Sequence, residues 1–151
     1  MGRSRHDADD LQRISSTNDT AEKIRIDRFG KDTVLPLATS IDNIPYVRYV
    51  NTYYEDGMFY VITNALSGKM QQIAKNPVVA ICREWFTAYG IGKNLGYFGK
   101  PENKAIAQKL RTVFSTWIDN GHNNFADRNT VILRIQLTGG TLFSHGTRYD
   151  L

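Results

Sequence analysis

At 151 residues the chain has the length of one domain, able to bury about two-thirds of the surface its unfolded form exposes. Hydrophobic residues at 41% and charged residues at 23% exclude a disordered chain, and the longest apolar runs, such as Val78 to Cys82, are far too short to span a bilayer. The net charge of +4 is dispersed rather than run together, which suits an anionic ligand without demanding nucleic acid.

Residues 1–20 lack apolar periodicity and hold three Arg and four Asp, so they read as a flexible N-terminal arm ahead of a single domain over 21–151. The opening Met1 to Asp10 is polar and no apolar core follows it, so no signal peptide is expected and a cytoplasmic setting is. Ala21, Ile24, Arg25 and Arg28 suit a short leading helix, and Thr33 to Thr39 a first strand. A turn over Ile41 to Pro45 leads to a second strand, Tyr46 to Asn51. Asp56-Gly57 is a tight-hairpin signal that pairs it with Met58 to Thr63.

Leu66, Met70, Ile73 and Ala74 recur at helical spacing until Asn76-Pro77 stops them, which predicts a short helix over Ser67 to Lys75. Strands are expected over Val78 to Trp85 and Thr87 to Gly92. A long helix is expected from Pro101 to Gly121, with Ile106, Leu110, Val113, Phe114, Trp117 and Ile118 on its apolar face. In Val131 to Leu137 the apolar residues at odd positions alternate with Ile132, Arg134 and Gln136, a half-buried strand that Gly139-Gly140 turns into a last strand, Thr141 to Arg148. About six antiparallel strands with two interposed helices favour a closed or partly closed barrel, since a parallel sheet would need a helix in nearly every crossover.

Several residues have an ordinary structural reading. Cys82, within an apolar strand, reads as a buried small hydrophobe and has no disulfide partner. His122 and His145 lack a carboxylate or thiol at ligand spacing, so they read as solvated or structural. Trp85, Trp117 and the strand tyrosines Tyr46, Tyr49, Tyr53 and Tyr54 read as core or interface packing.

Arg48 is different, because it stands mid-strand among Tyr46, Val47, Tyr49 and Val50, where an unpaired guanidinium is expensive to bury. The neighbouring strand ends at Thr63, and Ser67, Gly68 and Lys69 open the short helix. Free N–H groups at a helix start, two hydroxyls, a lysine and an arginine together suit a phosphate dianion. Each residue taken alone also has a plain role: Arg48 paired with Glu55 or Asp56, Ser67 as a helix cap, Lys69 as a solvated cation.

Taken jointly, these residues resemble a known pattern. Leu37-Ala38-Thr39, Pro45 to Val50, Asp56-Gly57, Thr63-Asn64, Ser67, Lys69 and Asn76-Pro77 follow the order and approximate spacing of the pyridoxamine 5'-phosphate oxidase-like family, over residues 33–99. The resemblance implies a mainly β fold, a six-stranded antiparallel split β-barrel with flanking helices that binds FMN. It gives the phosphate and ribityl contacts to Arg48, Thr63, Ser67, Gly68 and Lys69, and lays the flavin against backbone at Tyr49, Val50 and Ile62. It adds Thr87 as a polar contact and, less closely, His145 and Arg148 on the last strand. It further implies a homodimer with the flavin at the subunit interface.

The same resemblance implies an FMN-dependent oxidoreductase acting with a small-molecule electron donor or acceptor, as in the nitroimidazole-resistance relatives. The chain ends at Leu151 without the longer tail that recognises pyridoxal phosphate in the named oxidases, so oxidation of pyridoxamine phosphate is not expected. Two rival readings are a noncatalytic flavin carrier or redox sensor and, ranked last, a small basic barrel for single-stranded nucleic acid.

Overall fold

The computed structural model describes residues 19–151. Most of the expected N-terminal arm therefore lies outside the described residues; Asp19 and Thr20 already belong to the first helix, α1, which covers 19–29. Among the described residues seven strands come after it: β1 (Thr33–Ile41), β2 (Ile44–Glu55), β3 (Met58–Asn64), β4 (Val78–Arg83), β5 (Phe86–Tyr97), β6 (Thr130–Ser144) and β7 (Thr147–Asp150). Helix α2 (Gly68–Lys75) joins β3 to β4, and a short 3-10 turn, Pro101–Asn103, leads into α3 (Lys104–Val113).

The strands hydrogen-bond in the order β3-β2-β1-β4-β5-β6-β7, all antiparallel, and a further β3–β6 pairing closes six of them into a barrel. The expected six-stranded antiparallel barrel is present, with β7 as an extra strand on β6. Two-residue turns make the hairpins. Asp42-Asn43, Asp56-Gly57 and His145-Gly146 all have positive φ at both positions, the conformation whose twist matches paired strands and which Asn, Asp and Gly adopt most readily.

Alternation along the strands sends Leu35, Leu37, Val50, Phe59, Val61, Val79, Ile81, Ala88, Leu133 and Ile135 into the barrel. Phe29 of α1 stacks on Phe59 and Phe86 at 5.6 and 4.6 Å between ring centroids and plugs one end. Below it, the buried Tyr54 hydroxyl accepts from Gly57 N (3.0 Å) and Arg25 Nε (2.9 Å) and donates to Glu22 Oε2 (2.7 Å), fastening α1 to the β2–β3 hairpin. A second apolar cluster lies outside the barrel wall, where Leu110, Phe114 and Ile118 cover Ile132. The strand read as half-buried is thus buried on both faces at Ile132.

Three further expectations are corrected. The long helix ends at Val113, not Gly121. Phe114 caps it, the weak helix formers Ser115 and Thr116 follow, and the Trp117 indole is held by Asp32 Oδ2 at 2.7 Å, so 110, 114 and 118 keep their apolar spacing through turns rather than helix. Gly139-Gly140 does not turn the chain: β6 runs straight through, with a bulge opposite Tyr89-Gly90, and reverses at His145-Gly146. Gly140 is required for a different reason, because at φ 150° any Cβ there would collide with the Thr87 carbonyl oxygen. Cys82 is exposed, not buried, because β4 turns it to the outer face of the barrel.

Candidate functional site

The barrel is not sealed all round. β2 pairs with β1 from Ile44 to Thr52 but with β3 only over Tyr53–Glu55, while β3 from Val61 to Asn64 pairs on its other side with β6. A seam opens between the two strands, and the flanking backbone of Tyr46 to Val50 and of Ile62-Thr63 has a free edge along it. Hydrogen-bonding groups alternate along an antiparallel strand, so every second residue on such an edge offers an unsatisfied N–H and C=O.

Helix α2 closes the foot of the seam. Its start is set by Ser67, whose hydroxyl accepts from Met70 N (3.4 Å), a true N-cap. Gly68 and Lys69 then supply first-turn N–H groups, which a helix leaves without intrahelical partners. The Lys69 ammonium donates to Thr63 Oγ1 at 2.7 Å. Burial, together with the nearby Arg48 charge, holds the Lys69 pKa below the ordinary lysine value.

Arg48 does not pair with Glu55 or Asp56. Its Nη1 donates to Thr39 Oγ1 (2.8 Å) and more loosely to Leu37 O (3.3 Å), and its Nη2 donates to Gln72 Oε1 (2.7 Å). Thr39 completes the ring by donating to the same Gln72 oxygen at 2.5 Å. All these acceptors are neutral, and burial lowers the Arg48 pKa from its ordinary value. Among the described residues no carboxylate lies within ion-pair distance of either Arg48 or Lys69. Two partly buried cations therefore share a seam with two hydroxyls and a helix start, and no described side chain balances their charge. The donor set fits a phosphate.

Thr63, Ser67, Gly68, Lys69 and Arg48 are thus brought together as the spacing predicts, with Tyr49, Val50 and Ile62 on the strands that flank the seam. Thr87 lies elsewhere, three strands round from Arg48 on the outer face of β5. His145 and Arg148 belong to the β6–β7 hairpin. His145 lines an open cleft of about 540 Å³ with Arg28, Trp85 and Phe143, and Arg148 pairs with Asp150 at 3.0 Å. Gln72 is the residue that sequence reasoning missed. On a short polar helix it looks solvated, and only the closure of β1 and β2 against α2 reveals it as the clamp on Arg48.

No family model matches the sequence, and no curated protein matches it either. Solved structures do. A FAD-binding protein from Mesorhizobium loti superposes with a TM-score of 0.61 at 19% identity, over 76% of this chain and 87% of that one. The fold is the split barrel of the pyridoxamine 5'-phosphate oxidase-like proteins. A proposed pyridoxamine 5'-phosphate oxidase from Listeria innocua gives 0.57 at 12% identity, over 76% and 89% of the two chains. A NimC/NimA family protein from Clostridium acetobutylicum gives 0.56 at 18%, over 83% and 88%. At these identities the likeness is one of fold, and the split barrel's chemistry has to be argued from this chain's own residues.

The outer face of the split barrel carries exposed apolar side chains beside the seam. Val47, Ala38, Ala80 and Tyr89 stand in one row across β2, β1, β4 and β5. Val47 is 71% exposed and Tyr49, on the same face, 77%, with Val78 and Ile91 also open. Scattered exposed hydrophobics are ordinary, whereas a contiguous sheet face of them marks an interaction surface.

Proposed function

We propose that this chain binds FMN along the β2–β3 seam, in a symmetric homodimer, and uses it to exchange electrons with a small molecule. The observation that carries the reading is the pair Arg48 and Lys69, two partly buried cations without a carboxylate partner among the described residues. In this reading Arg48 and Lys69 hold the phosphate, with the first-turn N–H groups of Gly68 and Lys69 beside them. Thr63 and Ser67 take the ribityl hydroxyls. The free backbone edge from Tyr49 to Val50 and at Ile62 meets the polar rim of the ring system, whose hydrogen-bonding atoms lie in one plane. Bound there, a flavin supplies hydride and single-electron transfer, and the protein supplies placement and electrostatics.

The homodimer reading is supported by the apolar face beside the seam. Val47 and Tyr49 point to the opposite side of β2 from Arg48, so a second subunit seated on that face would back the strand whose free edge the ligand lines in this reading. Thr87, on the same outer face, and His145 and Arg148, on an exposed hairpin, are then assigned to closing the partner's site. The Mesorhizobium loti neighbour, described as FAD-binding, supports a flavin as the ligand class.

The test is a visible spectrum of the full chain after loading with FMN and gel filtration. Retained blue-light absorption, with one flavin per chain, supports the assignment; a colourless eluate overturns it. Reduction by NADH or NADPH followed by turnover of an acceptor separates an oxidoreductase from a flavin carrier.

A further inference from the structure

A second cationic site lies on the same rim. Where β5 ends and α3 begins, a groove of about 420 Å³ is lined by Tyr97, Phe98, Lys100, Lys104, Arg111 and Phe125 among others, with three cations and no carboxylate among the described residues. The Arg111 guanidinium lies over the Phe125 and Phe98 rings, 4.5 and 5.3 Å from their centroids, and Arg128 lies over Tyr97 at 5.5 Å. Both rings under Arg111 are fixed, Phe98 by burial and Phe125 by stacking on it at 4.6 Å. The acidic neighbour of Arg111, Asp119, is 3.6 Å away and largely exposed, so the guanidinium charge is little compensated.

Flat guanidinium planes held on aromatic faces, with flexible ammonium groups beside them, are what a phosphate attached to a planar base requires. The planes stack the base and the ammonium groups take the charge. The groove is also close to the seam. Thr63, the hydroxyl that Lys69 holds, pairs with Val131, and Val131 pairs in turn with Tyr97. Two strand spacings, about 10 Å, separate them. Ala65 N donates to Asn129 O (2.7 Å) and Phe98 N to Thr130 O (2.8 Å), so the segment bearing Arg128 bridges the two sites rigidly.

We propose that this groove binds the adenosine-phosphate end of a dinucleotide. That end comes either from FAD taken in place of FMN, whose flavin-side phosphate would then occupy the seam, or from a nicotinamide dinucleotide reductant. The proposal rests on the flavin reading for its partner site, but the groove's own ligand can be measured without it.

The probe is ADP, titrated calorimetrically into the full chain at low salt, with Lys104→Ala and Arg111→Gln as variants. Lys104 is exposed and clear of the core, so Lys104→Ala keeps the fold even if Arg111→Gln loosens the Phe98–Phe125 packing. ADP should bind once per chain, at least tenfold more weakly to each variant, while FMN affinity stays within twofold of wild type. No ADP binding at millimolar concentration, or binding that both variants leave unchanged, overturns the proposal. If the flavin is the source, FAD binds at least tenfold more tightly than FMN and the variants erase that advantage. If the reductant is the source, FAD and FMN bind alike and ADP still binds the FMN-loaded protein. Loss of FMN binding with ADP binding intact would overturn the flavin reading alone.

Discussion

The carboxamide oxygen of Gln72 lies 2.7 Å from Arg48 Nη2 and 2.5 Å from Thr39 Oγ1, so one neutral atom from α2 fixes the direction of a strand-borne cation. A carboxylate in that place would hold Arg48 as firmly and cancel its charge. Gln72→Glu is therefore expected to keep or raise the melting temperature while weakening FMN binding by about 1 to 3 kcal/mol, the worth of a charge-assisted contact. Fluorescence titration of the variant beside wild type at pH 7.5 would show the loss. Unchanged affinity would remove Arg48 from the phosphate site.

Lys69 gives a pH prediction with a definite sign. Burial, and then the charge of Arg48, lower its pKa in the folded chain, so the unfolded chain holds the proton more tightly. Between the folded value and the ordinary 10.5, the ligand-free protein gains stability as pH rises, and below that window the charged lysine is a cost. Lys69→Met should melt no lower than wild type at pH 7, yet bind FMN about 1 to 3 kcal/mol more weakly. In wild type, phosphate binding should take up a proton within the window, and affinity should fall as pH climbs through it. Calorimetry in two buffers of different ionisation enthalpy reads that proton directly.

Tyr54→Phe separates stability from binding. The hydroxyl joins Glu22, Arg25 and the Gly57 amide at the barrel end, and its loss leaves those groups short of a shared partner. A destabilisation of about 1 to 3 kcal/mol is expected from chemical denaturation. FMN affinity should be unaffected, since none of these groups touches Arg48 or Lys69.

Tyr49→Asp tests the second subunit. The side chain is 77% exposed in the single chain, so the substitution costs the isolated fold little. In the proposed dimer it would bury a charge on an apolar face, and sedimentation velocity should show a shift to monomer. A dimer that persists in Tyr49→Asp and in Val47→Asp alike would place the interface elsewhere.

The legible parts of the sequence were those where local chemistry and tertiary role agree. Asp56-Gly57 adopts the turn its residues prefer and Ser67 caps the helix it precedes, whereas the strand pairing expected to carry Arg48 beside Thr63 stops at Tyr53, and it is α2, through Gln72 and Lys69, that holds the two together. Gln72 was hidden because its partners are 24 and 33 residues away, and nothing in a polar helix distinguishes a clamp from a solvated side chain. Gly139-Gly140 misled because close backbone approach and chain reversal both call for glycine. Cys82 misled because an all-apolar strand reads as covered on both faces, while a single chain leaves the outer face of β4 bare.

The unpaired margin between β2 and β3 also bears on how long the protein survives. An open strand margin can recruit another strand, and its amides exchange with solvent at rates set by local rather than global opening. A ligand lying along Tyr46 to Val50 would act as the missing rung of the ladder, slowing exchange at alternate amides there and withdrawing a template for aggregation. The amount of intact protein in a cell would then track the supply of its ligand.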